Sequence, residues 1–291
     1  MTLNKGRCTV VKEKFKILSP KLDVIFKLLF GSEGSREILT DFLLAVLNLS
    51  PSEYDDITIS NPMLPQEYKG DKLGILDVKL KLKSGKVLNI EIQVDSMPFM
   101  ESRIVFYTSK MITEQIHESE QYDKIKRVIS IIITDHILVK NSDSFHHHFG
   151  LNDLENKVQF TNILEIHTLE IPKARKLFES GNTKKPQLLD WMKFFDVKTE
   201  EELNMLAKKS PTMRKATLRL MELSADEKAR QAYEERLKAQ RDSWARERGA
   251  VKTREQEIAQ SLLKMNIPIE NIVTATGLTH SEIEDLQTAD F

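Results

Sequence analysis

The sequence lacks several features on which whole classes of protein depend. Its 291 residues include a single cysteine, Cys8, which excludes a disulfide framework and a cysteine-ligated zinc site. No run approaches eighteen consecutive apolar residues, so no membrane-spanning helix is expected. The N-terminal stretch lacks the apolar segment and small-residue cleavage site of a secretory signal. Together these absences predict a protein of a reducing, cytoplasmic compartment that has no membrane partner.

Neither sign of charge dominates the chain. There are 43 basic and 44 acidic residues, which gives a formal net charge of −1. Without a global positive field, binding to nucleic acid requires a local basic patch or a metal ion. Neither the phosphate-binding loop of an NTPase nor the Gly-x-Ser-x-Gly motif of a serine hydrolase occurs. The 40% apolar and 30% charged residues are typical of a globular protein.

Hydrophobic spacing predicts an α/β part followed by a helical part. The predicted organisation is a flexible N-terminal arm at 1–16, an α/β domain at 17–200, a charged helical linker at 201–250 and a three-helix module at 251–291. Ser19-Pro20 predicts the start of the first helix. The charged stretch 213–248 has little apolar stripe and predicts a solvated helix. Thr279 and Glu282 predict a capping box in the last helix.

The clearest local pattern is a period of two on both sides of a turn at Gly85, which predicts an antiparallel hairpin. If Gly85 ends a three-residue loop in the left-handed conformation, Asp77 lies directly opposite Glu91, and Gln93 lies opposite Ile75, beside them on the same face. A two-residue turn would instead place Asp77 opposite Ile92 and separate the two carboxylates. The spacing leaves both registers open.

Two carboxylates that face each other across a ladder repel by up to about 1 kcal/mol. A divalent cation between them removes that repulsion, and hard oxygen ligands suit Mg²⁺ or Mn²⁺. The competing interpretation is that acids alternating with apolar residues mark the wet face of a half-buried sheet. A long helix predicted at about 99–119 carries aromatic residues that are expected to cover this face, which favours the metal-binding interpretation.

The stretches on which a family resemblance rests run through most of the chain, over roughly residues 19–287. They are Asp23 to Gly31, Leu76-Asp77-Val78-Lys79, Ile90-Glu91-Ile92-Gln93, Arg103 to Tyr107, Leu169 to Lys173, Trp191 to Phe194 and the tail from Ile258 to Ile283. An acidic residue on one strand, followed by Glu-x-Gln on the next, resembles the signature of the PD-(D/E)XK nucleases. The ordered set is most similar to their transposase-like branch, the Rpn recombination-promoting nucleases.

This resemblance implies an α/β fold with a restriction-endonuclease-like core, in which helices flank a central mixed β-sheet, here with a C-terminal helical extension. It implies Mg²⁺-dependent hydrolysis of DNA phosphodiesters, with Mn²⁺ as an alternative cation. Asp77 and Glu91 would be the metal ligands, and Gln93 would stand where many relatives have lysine. Glutamine can orient an attacking water, but it carries no positive charge and cannot act as a base near neutral pH.

Further residues are expected around this pair. Asp23 would match the acidic residue of the family's first helix and is a candidate third carboxylate, although an aspartate in a first turn also interacts with the helix N-terminus. Lys79 lies on the same predicted face as Asp77, where it supplies the missing positive charge or extends into solvent. The residues predicted to contact or line the substrate are Lys27, Arg103, Tyr107 and Gln115.

Two other groups of residues are not favoured as a metal-binding or DNA-binding site. The histidine run 146–148 cannot point all its rings at one metal from a strand, and a solvent loop is the favoured interpretation. The C-terminal module has the spacing of a helix-turn-helix. However, its second and third helices carry Glu270, Glu282, Glu284 and Asp285 and no arginine. Acidic helices are repelled by DNA, so docking or self-association is favoured.

The predicted function is therefore a metal-dependent DNA endonuclease of low sequence specificity, linked to recombination, mobile elements or phage defence. Its expected partners are DNA and further copies of the chain through the C-terminal helices, and an inhibitory protein partner is left open. The alternative is a catalytically weak or inactive nuclease-fold protein that acts as a DNA-binding or protein-interaction module. Gln93 in place of lysine and the near-neutral net charge keep that alternative open.

Overall fold

The computed structural model of the protein describes residues 16–47, 49–60, 63–64, 74–75 and 77–289. The predicted N-terminal arm lies outside the described residues except for Lys16. The chain divides into two compact units, Met1–Tyr233 and Glu234–Phe291. The domain borders expected near residues 200 and 250 stay predictions, because compactness alone does not define where a domain folds independently. Within the described residues, no helix has the length and apolar character needed to cross a membrane.

A six-stranded mixed sheet lies at the centre of the first unit. The described strands are β1 Thr58–Ser60, β2 Met63–Leu64, β3 Gly74–Ile75, β4 Val78–Lys81, β5 Val87–Gln93, β6 Val128–Thr134, β7 His146–Asn152 and β8 Gln159–Glu170. The strand order is β1-β4-β5-β6-β8-β7, and β2 and β3 form a separate two-stranded ladder. β6 is parallel to both of its neighbours, whereas the other ladders are antiparallel. All seven residues of β6 are buried, which confirms the strand predicted there.

Helices flank this sheet and continue into the second unit. The described helices are α1 Asp23–Phe30, α2 Arg36–Val46, α3 Met100–Thr113, α4 Ile171–Arg175, α5 Pro186–Phe195, α6 Glu200–Leu206, α7 Pro211–Ala225, α8 Glu227–Lys264, α9 Ile269–Thr276 and α10 His280–Ala289. α3 packs on one face of β6 and β8, where Ile104 meets Ile132 and Ile166. α1 contacts β5 and shares an aromatic cluster with α2 and α5.

The hairpin has the register predicted from a three-residue loop. Val78 pairs with Ile90, and the ladder continues to the turn, where Gly85 has a φ of 86°. The alternative two-residue turn was therefore wrong. The prediction that Gln93 lies opposite Ile75 was also wrong, because Ile75 pairs with Met63 in the separate ladder. The β4–β5 ladder ends at Val78, and Gln93 pairs with Thr134 of β6.

Several helix boundaries differ from those expected. α1 begins at Asp23 rather than after Ser19, with Leu22 at the N-cap position. α3 ends at Thr113, six residues before the predicted end. The charged stretch 213–248, predicted as one solvated helix, forms parts of two helices, α7 and α8. Asp226 is the C-cap residue of α7, and its carboxylate accepts a hydrogen bond from the Ala229 N–H of α8 at 2.8 Å.

α7 belongs to the core of the first unit. Its buried residues include Met213, Ala216, Leu220 and Leu223, and it contacts α1, α2 and α6. The expectation of a solvated helix was wrong here because the apolar stripe includes alanine and threonine, which a search for large residues overlooks. Leu218, a large apolar residue of the same helix, is exposed.

The second unit is a small helical cluster. The last turns of α8 pack with α9 and α10 around a core in which Ala259, Ile272 and Ile283 are fully buried. Gly277 ends α9 with a φ of 76°. The predicted capping box is confirmed: the Thr279 hydroxyl accepts from the Glu282 N–H, and the Glu282 carboxylate accepts from the Thr279 N–H at 2.9 Å.

Candidate metal centre

Asp77 lies at the point where the β4–β5 ladder ends. The residue that follows it, Val78, is the first of β4 to pair with β5. The Asp77 Oδ2 atom accepts a hydrogen bond from the Ile92 N–H at 3.0 Å. Its Oδ1 atom lies 3.1 Å from the Lys27 Nζ atom of α1. The carboxylate thus replaces the missing strand partner of Ile92 and faces a cation from the neighbouring helix.

Glu91 lies on the central strand β5, on the face that α3 covers. It pairs with Ile132 of β6 and is only 6% exposed. The Asn89 Nδ2 atom donates a hydrogen bond to Glu91 Oε1 at 2.8 Å. Asn89 was not among the predicted site residues, although its position two residues before Glu91 on the same strand face was the signal available in the sequence.

The electrostatic environment couples the two acids. Burial is the main cause that raises the pKa of Asp77, while the Ile92 N–H and Lys27 act in the opposite direction. Burial likewise raises the pKa of Glu91 and outweighs the hydrogen bond from Asn89, and the negative charge of Asp77 raises it further. Each carboxylate is therefore costly to hold in its charged form without an additional positive charge nearby.

Arg103 of α3 and the side chain of Gln93 also act on Glu91. Arg103 lowers the pKa of Glu91, and the side chain of Gln93 does so by hydrogen bonding. The Arg103 Nε atom is buried and has no hydrogen-bond partner, and the guanidinium carbon lies 4.9 Å from the ring centre of Tyr107. Tyr107 is itself buried against Met111 and Val128. The tyrosine is therefore a support for Arg103.

Two predicted residues have other partners. The Lys79 Nζ atom donates to Glu114 Oε2 at 2.8 Å, and both side chains are about 15% exposed. Lys79 is therefore held by the end of α3 instead of extending into solvent. Gln115 forms hydrogen bonds with the backbone N–H and carbonyl of Lys126, so it joins two loops.

Asp23 lies near Asp77, since its negative charge raises the pKa of that residue. Its Oδ1 atom accepts a hydrogen bond from the Val24 N–H at 2.9 Å, which is the helix-terminal role considered for it. Among the described residues, one trio of histidine and acidic side chains has all its ligand atoms within 4.8 Å of one another, and that trio does not include Asp23, Asp77 or Glu91.

The side chains present fit a hard divalent cation. The carboxyl groups of half-buried Asp77 and buried Glu91 both have raised pKa values and would be relieved of their repulsion by such an ion, and oxygen ligands are the ones that Mg²⁺ and Mn²⁺ prefer. Lys27 supplies part of that compensation at Asp77 Oδ1. Asp77 and Glu91 are the residues that would hold the ion.

Comparison with known proteins shows to which family the chain belongs. A family model described as PD-(D/E)XK nuclease family transposase matches residues 20–249, which is most of the chain. No curated protein and no solved structure gave a match. The six-stranded mixed sheet between helices is consistent with the restriction-endonuclease-like α/β fold, and the family supports a nuclease-like function on nucleic acid. The chain therefore belongs to the PD-(D/E)XK nuclease family transposases.

Proposed function

We propose that the protein is a metal-dependent endonuclease that hydrolyses DNA phosphodiesters with low sequence specificity. The observation that carries the proposal is the position of two acids: the Asp77 carboxylate, directly before β4, accepts a hydrogen bond from the N–H of Ile92, next to buried Glu91 on β5, and its negative charge raises the pKa of Glu91. Lys27 of α1 lies 3.1 Å from Asp77 Oδ1, and the charge of Arg103 of α3 lowers the pKa of Glu91. A pair of acids flanked by two cations is suited to holding a divalent ion and a phosphate together.

The roles of the side chains follow from their positions. Asp77 and Glu91 would hold a divalent cation, which when bound would lower the pKa of a coordinated water and offset charge on the scissile phosphate. Gln93 orients the attacking water through its amide. Lys27 and Arg103 bind phosphate oxygens, and Arg103 is the better suited of the two to a bidentate contact.

Gln93 replaces a lysine of many relatives, so the positive charge must come from elsewhere. Lys79 is held by Glu114, whereas Lys27 pairs with Asp77 and the charge of Arg103 acts on Glu91. Lys27 contacts Asp77 directly, and its side chain is 39% exposed, so it is accessible to an incoming phosphate. We assign the charge of the absent lysine to these two residues.

A plasmid-nicking assay tests the proposal. The variants Asp77→Asn and Glu91→Gln keep the size of each side chain but remove its charge, and each is expected to lower Mg²⁺-dependent nicking at least about 100-fold. Glu155→Gln, in an exposed loop, is the matched control and should cut like the wild type, while EDTA should stop all cutting. Equal nicking by both site variants and the control would refute the proposal.

A second candidate function is a DNA-binding protein with little or no cleavage. Gln93 and the engagement of Lys79 by Glu114 favour it. Gln93→Lys separates the two functions when wild-type nicking is weak: a gain of Mg²⁺-dependent cutting identifies the lost lysine as the cause. DNA binding without cutting by wild type and Gln93→Lys alike would support the binding function.

The biological setting belongs to the same proposal. The family's description as a transposase supports action on DNA during recombination or mobile-element movement, and defence against foreign DNA uses the same chemistry. We further propose cytoplasmic action, self-association through the C-terminal helices and restraint by an inhibitory protein partner. Nicking of host DNA in cells, measured with wild type and Asp77→Asn, tests whether such restraint is needed.

A further inference from the structure

A second group of potential ligands lies on the sheet face opposite Glu91. Glu165 and His167 of β8 pair with Ile129 and Ile131 of β6, whereas Glu91 pairs with Ile132. Successive residues of a strand point to opposite faces, so Glu165 and His167 are separated from the nuclease acids by the sheet. The run of histidines completes this group, because it lies in strand β7 and not in the predicted solvent loop.

The loop prediction for the histidines was wrong because β8 supplies an unusually long partner. His148 pairs directly with His167 in the β7–β8 ladder, and the two rings stack with their centres 4.3 Å apart. The local sequence contains no hydrophobic alternation that would have revealed β7. Only the pairing partner, which lies about twenty residues further along the chain, makes the histidine run a strand.

The distances within this group suit a transition metal. The ligand atoms of His148, Glu165 and His167 all lie within 4.8 Å of one another. His148 Nε2 is 3.5 Å from Glu165 Oε1, and His167 Nε2 is 3.8 Å from Glu165 Oε2. Metal–ligand bonds of about 2.0–2.2 Å place the ligands of a tetrahedral zinc about 3.3–3.6 Å apart. The two nitrogen–oxygen distances lie within or just above that range, and the distance between the two histidine ligand atoms is at most 4.8 Å.

His167 provides an independent indication of a ligand. Its side chain is 5% exposed, and its Nε2 atom is buried without a hydrogen-bond partner. Nearly all buried polar atoms in folded proteins have a partner. This nitrogen faces Glu165 at a distance too long for a hydrogen bond, which leaves a site with one unsatisfied nitrogen aimed into it.

The surrounding side chains support the three ligands. Metal-binding histidines usually use the second ring nitrogen for a hydrogen bond that fixes the ring, and His167 Nδ1 lies 2.9 Å from His146 Nε2. Arg127 forms an ion pair with Glu165 Oε1, so it orients the carboxylate and keeps it charged. Glu165 Oε2 remains directed toward His167.

We propose that His148, Glu165 and His167 form a binding site for zinc or a similar borderline transition metal, distinct from the magnesium site of the nuclease. Two imidazoles and one carboxylate are a zinc-type donor set with a fourth position open to water. His148 is 53% exposed, so the ion can enter from solvent. The bound metal fastens the edge strand β7 to β8.

Metal binding to the full-length chain tests the proposal without using nuclease activity. The chain must carry no histidine tag, and it is stripped with EDTA and titrated with Co²⁺ and then Zn²⁺. Wild type should bind one Co²⁺ with the strong visible absorption of a tetrahedral site, Zn²⁺ should displace it, and the melting temperature should rise. Glu91→Gln, which disables only the proposed nuclease site, should bind in the same way.

Variants locate the ligands. His148→Ala changes an exposed side chain and should weaken Co²⁺ binding at least about 100-fold while Mg²⁺-dependent nicking is unchanged. His117→Ala, at another exposed histidine, is the matched control and should bind like wild type. Absence of binding in wild type, equal binding by His148→Ala, or loss of binding in Glu91→Gln would each overturn the proposal.

Replacement of Lys185 tests the direction in which the affinity for the metal changes. Its Nζ atom lies 2.5 Å from His146 Nδ1 and favours the proton of that ring on Nε2, whereas ligation by His167 requires His146 Nε2 to accept a hydrogen bond. Lys185 is exposed and competes with the metal as a cation. Lys185→Ala should therefore bind Co²⁺ more tightly than wild type, and weaker binding would contradict the proposed arrangement.

Discussion

At the scale of single residues, the site depends on the contacts that hold its charged side chains in position. Arg103 has no hydrogen-bond partner at Nε, and the ring of Tyr107 is the neighbour that holds its guanidinium. A cation placed over an aromatic ring is attracted by about 0.5–2 kcal/mol, depending on its desolvation. Tyr107 is therefore proposed to act through Arg103 as a positioning residue.

Tyr107→Leu should lower nicking through weaker binding of DNA, because Arg103 loses the ring that orients it. We expect KM to rise about three- to tenfold while kcat changes little, in line with a loss of about 1 kcal/mol. Tyr107→Phe keeps the ring and is the control. Steady-state nicking kinetics measure both constants, and an equal effect of the two variants would show that the hydroxyl, not the ring, matters.

The raised pKa of Glu91 has a consequence for stability. The folded state binds the Glu91 proton more tightly than the unfolded state does, so stability falls as pH rises from the ordinary glutamate pKa through the raised folded value. Above that window the charged carboxylate destabilises the metal-free protein. Glu91→Gln should therefore raise the melting temperature in EDTA at pH 7, and the gain should vanish below about pH 4.

Melting curves from pH 3 to pH 8 check this expectation. Glu155→Gln, which removes an exposed carboxylate, serves as the comparison and should shift little at any pH. Addition of Mg²⁺ at pH 7 should stabilise the wild type and leave Glu91→Gln unchanged. A lower melting temperature of Glu91→Gln at pH 7 in EDTA would contradict the assigned cost of the buried charge.

At the scale of elements, the site depends on the register of one hairpin. Gly85 sets that register through its left-handed conformation, and a shift by one residue would move Asp77 and Glu91 to opposite faces. The ends of the same hairpin meet α1 and α3, which bring Lys27 and Arg103. The turn therefore fixes the relative positions of the two acids of the proposed site at the other end of the strands.

Gly85→Ala should destabilise the protein by about 1–2 kcal/mol, because L-residues are strained in the left-handed region. An added Cβ atom would also lie 3.2 Å from the Lys126 Cγ atom. Gly34→Ala, which meets no atom within 4 Å, is the control. Chemical denaturation measures both variants, and equal stability of Gly85→Ala and wild type would show that the turn does not determine the register.

At the scale of the whole molecule, the two compact units divide the proposed tasks. The sheet and its acids lie in Met1–Tyr233, and the acidic helices α9 and α10 lie in Glu234–Phe291. α7 belongs to the first unit, where Leu18 N–H donates to the Ser224 Oγ atom at 3.0 Å. A chain that lacks α7 would therefore lose part of the nuclease core itself.

Ending the chain at residue 240 should abolish self-association and leave Mg²⁺-dependent nicking within about threefold of wild type, on the proposal that the second unit serves assembly. Light scattering on a sizing column measures the mass, and the plasmid assay measures activity. A chain ending at 212 removes α7 and should fail to fold, as circular dichroism would report. An unchanged oligomer in the 1–240 chain would refute assembly through the C-terminal helices.

Local pattern was sufficient wherever neighbours in the chain decide the structure. The two-residue period around Gly85 predicted the hairpin, a run of apolar residues predicted β6, and Thr279 with Glu282 predicted the capping box. In each case the backbone conformation follows from hydrogen bonds and side-chain alternation within a few residues. The family resemblance then supplied the fold class and the two acids.

Tertiary structure decided which distant side chains meet. Lys79 is bound by Glu114, Lys27 reaches Asp77, and the histidines of β7 face β8. These contacts join residues far apart in the chain, and their formation depends on strand order, helix placement and the reach of flexible side chains. The hydrophobic period of a sequence contains no information on strand order or helix placement. The energy of such a contact arises only after the elements have packed.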